Sequence, residues 1–239
     1  MIFAAGLGTR LKPLTDTMPK ALVPVAGQPL LWHVIAKLRA AGFDRLVVNV
    51  HHFAQQIIDY LAANGNFGLD IRVSDETSQL LETGGGIRKA LPLFDRNEPV
   101  LIHNVDILSN ADLDALYSQR FPDQVDGVLL VSPRKTKRYL LLDSSNRLMG
   151  WKNIETRQVK SPYAEVQYSQ MQAFSGIHMV MPSLFPLLES WPERFAIMDF
   201  YLRHCGEKNI RCVVQDNLRL LDVGKLDTLH EAASFLQTI

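Results

Sequence analysis

What most constrains the fold of this chain is an alternation, over its first 132 residues, between short apolar or β-branched runs and segments with apolar residues at helical spacing. Residues 2–5 form a short apolar run closed by Gly6 and Gly8, which predicts a buried strand entering a tight loop. Residues 30–41 place Leu30, Leu31, Val34, Ile35 and Leu38 on one helical stripe, stop before Gly42 and lead into a β-branched run at 45–50. The pair recurs as helix 55–63 with strand 70–73, helix 85–91 with strand 100–105, and helix 113–119 with strand 127–132. Strands joined through helices need crossover connections, so the expected class is α/β: a Rossmann-like, doubly wound, mostly parallel sheet covered on both faces.

After Pro133 the pattern changes. Residues 138–142, 148–151 and 172–178 have strand character and are separated by polar stretches, which predicts a small β excursion over the edge of the sheet where a ligand would sit. Helices at 183–188 and 198–205, strands at 210–214 and 218–221, and a closing helix at 226–236 complete the expected order. No linker is long enough to divide the chain, and the 239 residues, 47% of them apolar, suffice for one substantial core.

Charge and cysteine content narrow the function. The 25 basic and 25 acidic side chains cancel, so neither a nucleic acid nor a membrane surface is an expected partner, and any anion must be held by a local site. Cys205 and Cys212 are too few for a disulfide framework and wrongly spaced for a CxxC pattern, so they read as reduced, buried thiols. With no membrane-length apolar run and no cleavable leader, the expected compartment is the cytoplasm. The first strand has almost no lead-in after Met1, which points to a natural start a few residues upstream.

Three groups of residues carry the chemistry. The loop from Ala5 to Arg10 follows the first strand, where backbone amides can turn towards a phosphate and glycine permits close approach, so Ala4, Ala5, Gly6, Gly8 and Thr9 are candidate nucleotide-binding residues. The loop lacks the Gly-Lys-Ser/Thr of a P-loop and the third glycine of a dinucleotide fingerprint, so a dehydrogenase is disfavoured. Glu82, Thr83, Gly84, Gly85 and Gly86 lie between a strand and a helix, where glycines would bring backbone close to a flat base, or would merely begin a helix capped by Thr83. Asn104-Val105-Asp106 ends one apolar strand and Asp222 ends another before Val223-Gly224. Two carboxylates at the carboxyl ends of parallel strands face the crevice where open α/β sheets bind ligands, and hard oxygen donors suit Mg²⁺. Adjacent His51 and His52 diverge on a strand and read as packing or capping groups.

The string from Gly6 to Lys20, G-x-G-T-R-L-x-P-L-T-x₃-P-K, resembles the signature of sugar-1-phosphate nucleotidyltransferases. The resemblance implies a single nucleotidyltransferase domain over 1–239, with a nucleotide-binding part over about 1–132 and a sugar-phosphate-binding part over about 133–239. It implies that the loop wraps a triphosphate, that Arg10 meets the leaving pyrophosphate, that Lys20 contacts the α-phosphate, and that Asp106 and Asp222 hold Mg²⁺. Arg10, Lys20 and Asp106 are thereby the expected catalytic residues. Asn104, Gly176 and Lys152 match positions that meet the sugar phosphate. The string 81–86 is similar to N-acetylmuramate-1-phosphate uridylyltransferases, which implies UTP and N-acetylmuramate 1-phosphate as substrates, a place in peptidoglycan recycling, and a monomer or homodimer. Mannose-1-phosphate guanylyltransferase is the alternative within the class, and a non-catalytic nucleotide-sugar sensor is the alternative outside it. Two departures stand out: Val105 replaces a usual glycine, and Leu220-Leu221 replace a common tryptophan.

Overall fold

A computed structural model describes residues 1–121 and 123–239. In chain order the elements are β1 (Ile2–Phe3), β2 (Pro24–Val25), β3 (Gln28–Pro29), α1 (Leu30–Ala40), β4 (Arg45–Val50), α2 (Ala54–Ala63), β5 (Asp70–Asp75) and α3 (Glu82–Ala90). There follow β6 (Val100–Asn104), β7 (Ile107–Ser109), α4 (Leu113–Ser118), β8 (Gly127–Ser132), β9 (Arg138–Leu142), β10 (Leu148–Asn153), β11 (Val159–Lys160) and β12 (Gln170–Val180). The chain closes with α5 (Phe185–Ser190), α6 (Ile197–His204), β13 (Ile210–Val214), β14 (Leu220–Asp222) and α7 (Leu226–Leu236).

One half of the main sheet is the expected parallel α/β layer, in the order β6-β1-β4-β5, with Ile2 opposite both Val48 and His103. Beyond β6 the sheet becomes mixed. Strand β12 runs antiparallel to β6, β8 and β9 and ties the excursion β9-β10-β11 to the parallel half, while β13 pairs parallel with β8. Side chains alternate between two apolar clusters, one on each face. Val48, Leu101, Val128 and Leu130 join α1, α2, α4 and α7, whereas Val47, Ile102, Leu129 and Val131 join α3, α5 and α6. Burial on both faces explains why these strands read as continuous apolar runs.

Several boundaries differ from the sequence reading for identifiable reasons. β1 stops at Phe3 because the Ala4 and Ala5 amides donate to the Asn49 side chain rather than to a neighbouring strand. α3 begins at Glu82, three residues before its expected start. The two-residue pair β2-β3, turning through Ala26 and Gly27 at positive φ, is too short to show any period. The same holds for β7, which pairs with β14 off the main sheet. Cys205 and Cys212 are free and buried, and burial pushes both thiols well up, Cys205 to about 11. Among the described residues no helix is long and apolar enough to cross a membrane.

Candidate active site

The carboxyl ends of β1, β4, β5 and β6 open onto a cavity of about 420 Å³ lined by Phe3, Ala5, Gly6, Lys20, Asn49, Glu76, Leu80, Glu82, Thr83, Asn104, Val105, Asp106 and Ala196. Segments from four strands thus meet where parallel sheets leave room for a ligand. Another cavity, of about 370 Å³, lies at the amino ends of the same strands among Arg45, Asp70, Arg72, Asp95 and Glu98, and none of the sequence-predicted site residues lines it.

The loop after β1 is built in two parts. Asn49 Oδ1 accepts hydrogen bonds from Ala4 N at 2.7 Å and Ala5 N at 3.3 Å, so these two amides are occupied within the protein. The amides of Gly6, Leu7 and Gly8 have no acceptor among the described residues. The reading that Ala4 and Ala5 offer amides to phosphate is corrected on this point: the free arc begins at Gly6. Gly8 adopts φ 65°, and a Cβ there would meet Thr15 Cγ2 at 2.8 Å and Lys20 Cβ at 3.0 Å, so only glycine fits. The Thr15 hydroxyl donates to the Gly8 carbonyl at 2.8 Å and pins the loop over the Pro19-Lys20 segment. Thr9 and Arg10 continue into a single 3₁₀ turn, Thr9–Leu11.

Four charged side chains converge beside this loop. Lys20, 8% exposed, hydrogen-bonds Asp106 through its ammonium group. A Cβ on Gly224 would lie 2.6 Å from Asp222 Oδ1 and 2.7 Å from Arg10 Nη2, so both groups crowd the same glycine. Burial first, and then the nearby Asp106 carboxylate, push Asp222 above the usual range, while Lys20, Arg10 and Arg134 pull it down. Asp222 does not end a strand of the parallel sheet, as its sequence context suggested. It ends β14, antiparallel to β7, with Asp222 opposite Ile107 and Val223 N donating to Asp106 O at 2.8 Å. That small ladder, rather than parallel-strand geometry, brings the two carboxylates together.

Oxygen donors and no nitrogen or sulfur ligand make the pair suited to a hard cation. Among the described residues there is no cluster of three or more acidic, histidine or cysteine ligands. A site with two protein carboxylates fits Mg²⁺, which characteristically keeps waters and substrate phosphates as its remaining ligands. Val105 is buried and is not among the residues with positive φ, so the replacement of glycine imposes no left-handed backbone there.

On the other sides of the cavity the structure redistributes the expected roles. Asn104 ends β6 against Gly176, where φ is 79° and a Cβ would lie 2.8 Å from Asn104 Nδ2, so there is no space for a side chain. These two predicted acceptor-side residues are in contact. Lys152 is not among the residues lining the cavity; it lies on β10 with its ammonium 6.0 Å from the Tyr168 ring. Glu82, at φ 63°, and Thr83 do line the cavity. The expectation that Gly84 and Gly85 present backbone to a base is corrected. Their amides donate to Phe195 O at 2.8 and 3.2 Å, and any Cβ would overlap the Phe195 ring or the Glu193 carbonyl. The Thr83 hydroxyl likewise accepts from Ile197 N at 2.9 Å, at the start of α6 rather than of its own helix. Gly84 and Gly85 pack α3 closely against the segment before α6.

Sequence reading missed Asn49, Glu76 and Arg134. Asn49 did leave a signal, as the lone polar residue among the buried positions 46–50 of β4. Glu76 left none, since an acidic residue after a strand is ordinary.

Comparison with known proteins agrees with this geometry. Residues 1–139 match the family model described as Nucleotidyl transferase. N-acetylmuramate alpha-1-phosphate uridylyltransferase of Caulobacter vibrioides is 44% identical over 138 residues, a match covering 55% of this chain and 57% of that relative. The enzyme of the same name from Neisseria meningitidis serogroup B is 35% identical over 198 residues, covering 80% of this chain and 78% of the relative. In fold, the chain is similar to HddC from Yersinia pseudotuberculosis complexed with GMP-PN, with a TM-score of 0.75 at 19% identity over 98% of this chain and 97% of that one. The glycine-rich loop, the convergent Arg10, Lys20, Asp106 and Asp222, and the match over more than half its length establish that this chain belongs to the nucleotidyl transferase family.

Proposed function

We propose that the protein transfers a uridylyl group from UTP to N-acetylmuramate 1-phosphate, releasing pyrophosphate and forming a nucleotide sugar. The observation carrying the reaction is the meeting of Lys20, Asp106, Arg10 and Asp222 beside the unoccupied amides of Gly6 to Gly8. The choice of substrates rests on the names of the two uridylyltransferase relatives.

An oxygen of the sugar phosphate attacks the α-phosphorus in line; one P–O bond forms there, the α–β bridging bond breaks, and pyrophosphate departs with the electron pair. No protein nucleophile is required, because the acceptor is already an anion. The catalytic problem is to bring two anions together and to stabilise charge moving onto the leaving group. The amides of Gly6 to Gly8 and the Arg10 guanidinium receive the β- and γ-phosphates, and Lys20 faces the α-phosphate from its place against Asp106. Asp106 and Asp222 would hold Mg²⁺, whose contribution is to neutralise phosphate oxygens of both substrates. Glu82 and Thr83 border the base, and Asn104, oriented by Gly176, borders the acceptor phosphate. With this reading go the cytoplasm as its compartment and peptidoglycan recycling as its setting.

A panel of four nucleoside triphosphates and several sugar 1-phosphates, followed by pyrophosphate release, tests this reading. UTP with N-acetylmuramate 1-phosphate is the expected best pair. A strong preference for GTP with mannose 1-phosphate would sink the uridylyl assignment, and full turnover by Asp106→Ala would sink the catalytic one.

A further inference from the structure

Two buried polar side chains connect parts of the cavity that are far apart in sequence. Asn49, 2% exposed, holds Ala4 N and Ala5 N through Oδ1, and its Nδ2 donates to Glu76 Oε1 at 2.7 Å. Glu76, fully buried, accepts Leu81 N on its other oxygen, Oε2, at 3.2 Å. The backbone of Glu76 is fixed as well, its amide donating to Val50 O at 2.8 Å and its carbonyl 2.6 Å from His51 Nδ1. A continuous line of hydrogen bonds therefore runs from the phosphate loop through β4 and the end of β5 to the residue preceding α3.

This arrangement is costly for a purely structural element. A buried carboxylate without an ion-pair partner is disfavoured, and among the described residues Glu76 has none. Burial pushes its carboxyl up, against the opposing pull of the Asn49 and Leu81 hydrogen bonds. Space is reserved for it too: a Cβ on Gly86 would come within 2.8 Å of Glu76 Oε1 and 3.1 Å of Asn49 Nδ2. Both side chains line the candidate nucleotide cavity, and Asn49 fixes the last two amides before the free arc at Gly6.

We propose that Asn49 and Glu76 form a positioning relay that sets the phosphate loop in register with the start of α3, so that the two segments engage one nucleotide together. The proposal rests on the nucleotidyl-transfer reading but not on which base or sugar is used. The relay has a polarity: an acceptor faces the loop, a donor joins the two side chains, and an acceptor faces Leu81. Glu76→Gln places an NH₂ group against either Asn49 Nδ2 or Leu81 N, breaking the line. Asn49→Asp sets two carboxylates face to face. The double variant Asn49→Asp/Glu76→Gln restores every donor–acceptor match with the charge moved from position 76 to 49, because the new amide then donates to the new carboxylate and accepts from Leu81 N.

The test combines amide exchange with kinetics. In the wild-type protein without ligand, the Ala4 and Ala5 amides are expected to be protected, and those of Gly6 to Gly8 to become protected only when magnesium and a nucleoside triphosphate are added. In Glu76→Gln, exchange at Ala4 and Ala5 should quicken by about tenfold, the value of one hydrogen bond. Nucleotide kcat/KM should fall about 100-fold with the sugar-phosphate KM unchanged, as expected of misalignment rather than lost contact. The double variant should regain most of both. A merely structural pair would lower the melting temperature of each single variant and leave the nucleotide kcat/KM of the folded fraction unaltered. Unprotected Ala4 and Ala5 amides in the wild type would overturn the relay without any variant, as would a double variant no better than Glu76→Gln. Failure of the uridylyl reading would appear instead in the wild-type substrate panel, with the exchange pattern intact.

Discussion

Lys20 and Asp106 are each awkward alone. Their side chains are only 10% and 19% exposed, and Asp106 stands near a second carboxylate, Asp222. Lys20→Met should lower kcat on the order of 100- to 1000-fold, as loss of an electrostatic group at the reacting phosphate does. It should also cost about 1–3 kcal/mol of stability by leaving Asp106 without its partner. Lys20→Met/Asp106→Asn is then expected to recover the melting temperature and not the turnover; recovery of both would remove these residues from the reaction. That Arg10, Lys20 and Asp106 belong together was anticipated through the resemblance their strings carry, and the structure brings Lys20 onto Asp106. The link between Asn49 and Glu76 was not legible in the sequence, since it is a hydrogen bond between segments 27 residues apart, and only Asn49, the lone polar residue among the buried positions of β4, left a signal. Lys152 was placed from a loop match with no geometric constraint, and its ammonium lies 6.0 Å from the Tyr168 ring.

At the scale of elements, the glycines fall into two groups that the sequence could not separate. Gly6 has ordinary φ and open space where a methyl group would stand, whereas Gly84 packs directly against the Phe195 ring. Gly6→Ala should therefore melt within about 2 °C of the wild type, having no clash to relieve, yet bind triphosphate poorly because the new methyl stands in the arc of free amides. Gly84→Ala should do the reverse at first order, losing about 1–3 kcal/mol through overpacking of α3 against the segment before α6. Calorimetric melting and nucleotide titration of the two variants check the contrast. The parallel half of the sheet was readable because strands buried on both faces leave long apolar runs between helical stripes. A strand at 218–221 was expected, but its pairing was not, since three-residue β7 carries no period, and it is the β7-β14 ladder that brings Asp222 to Asp106.

For the molecule as a whole, acid sensitivity is expected from two histidines in the core. Burial lowers His103 to about 4 and His178 to about 3, the latter hydrogen-bonded to Tyr201 Oη at 2.8 Å. Both are neutral in the fold, whereas an unfolded chain protonates each below its ordinary value of 6.5. Their contribution to stability is thus complete above 6.5 and lost as pH falls towards 4 for His103 and 3 for His178, at up to about 1.4 kcal/mol per pH unit each. Denaturant unfolding at about pH 7, 6 and 5 should show this slope, and His178→Asn should reduce it by about one proton's worth. An unchanged slope would mean that His178 is not buried in neutral form.

Strand β12 has a consequence for how such a molecule can change. Its last residues pair with β6, its first with β9, and its register with β8 shifts between Phe174 and His178, where Gly176 bends the backbone beside Asn104. On the proposed reading, β12 joins the segment assigned to the acceptor to the layer assigned to the nucleotide, like a tool head on a common handle. Exchanging the segment from β9 to the start of β12 for that of a relative should redirect which sugar is accepted while the choice of nucleotide stays with the parent.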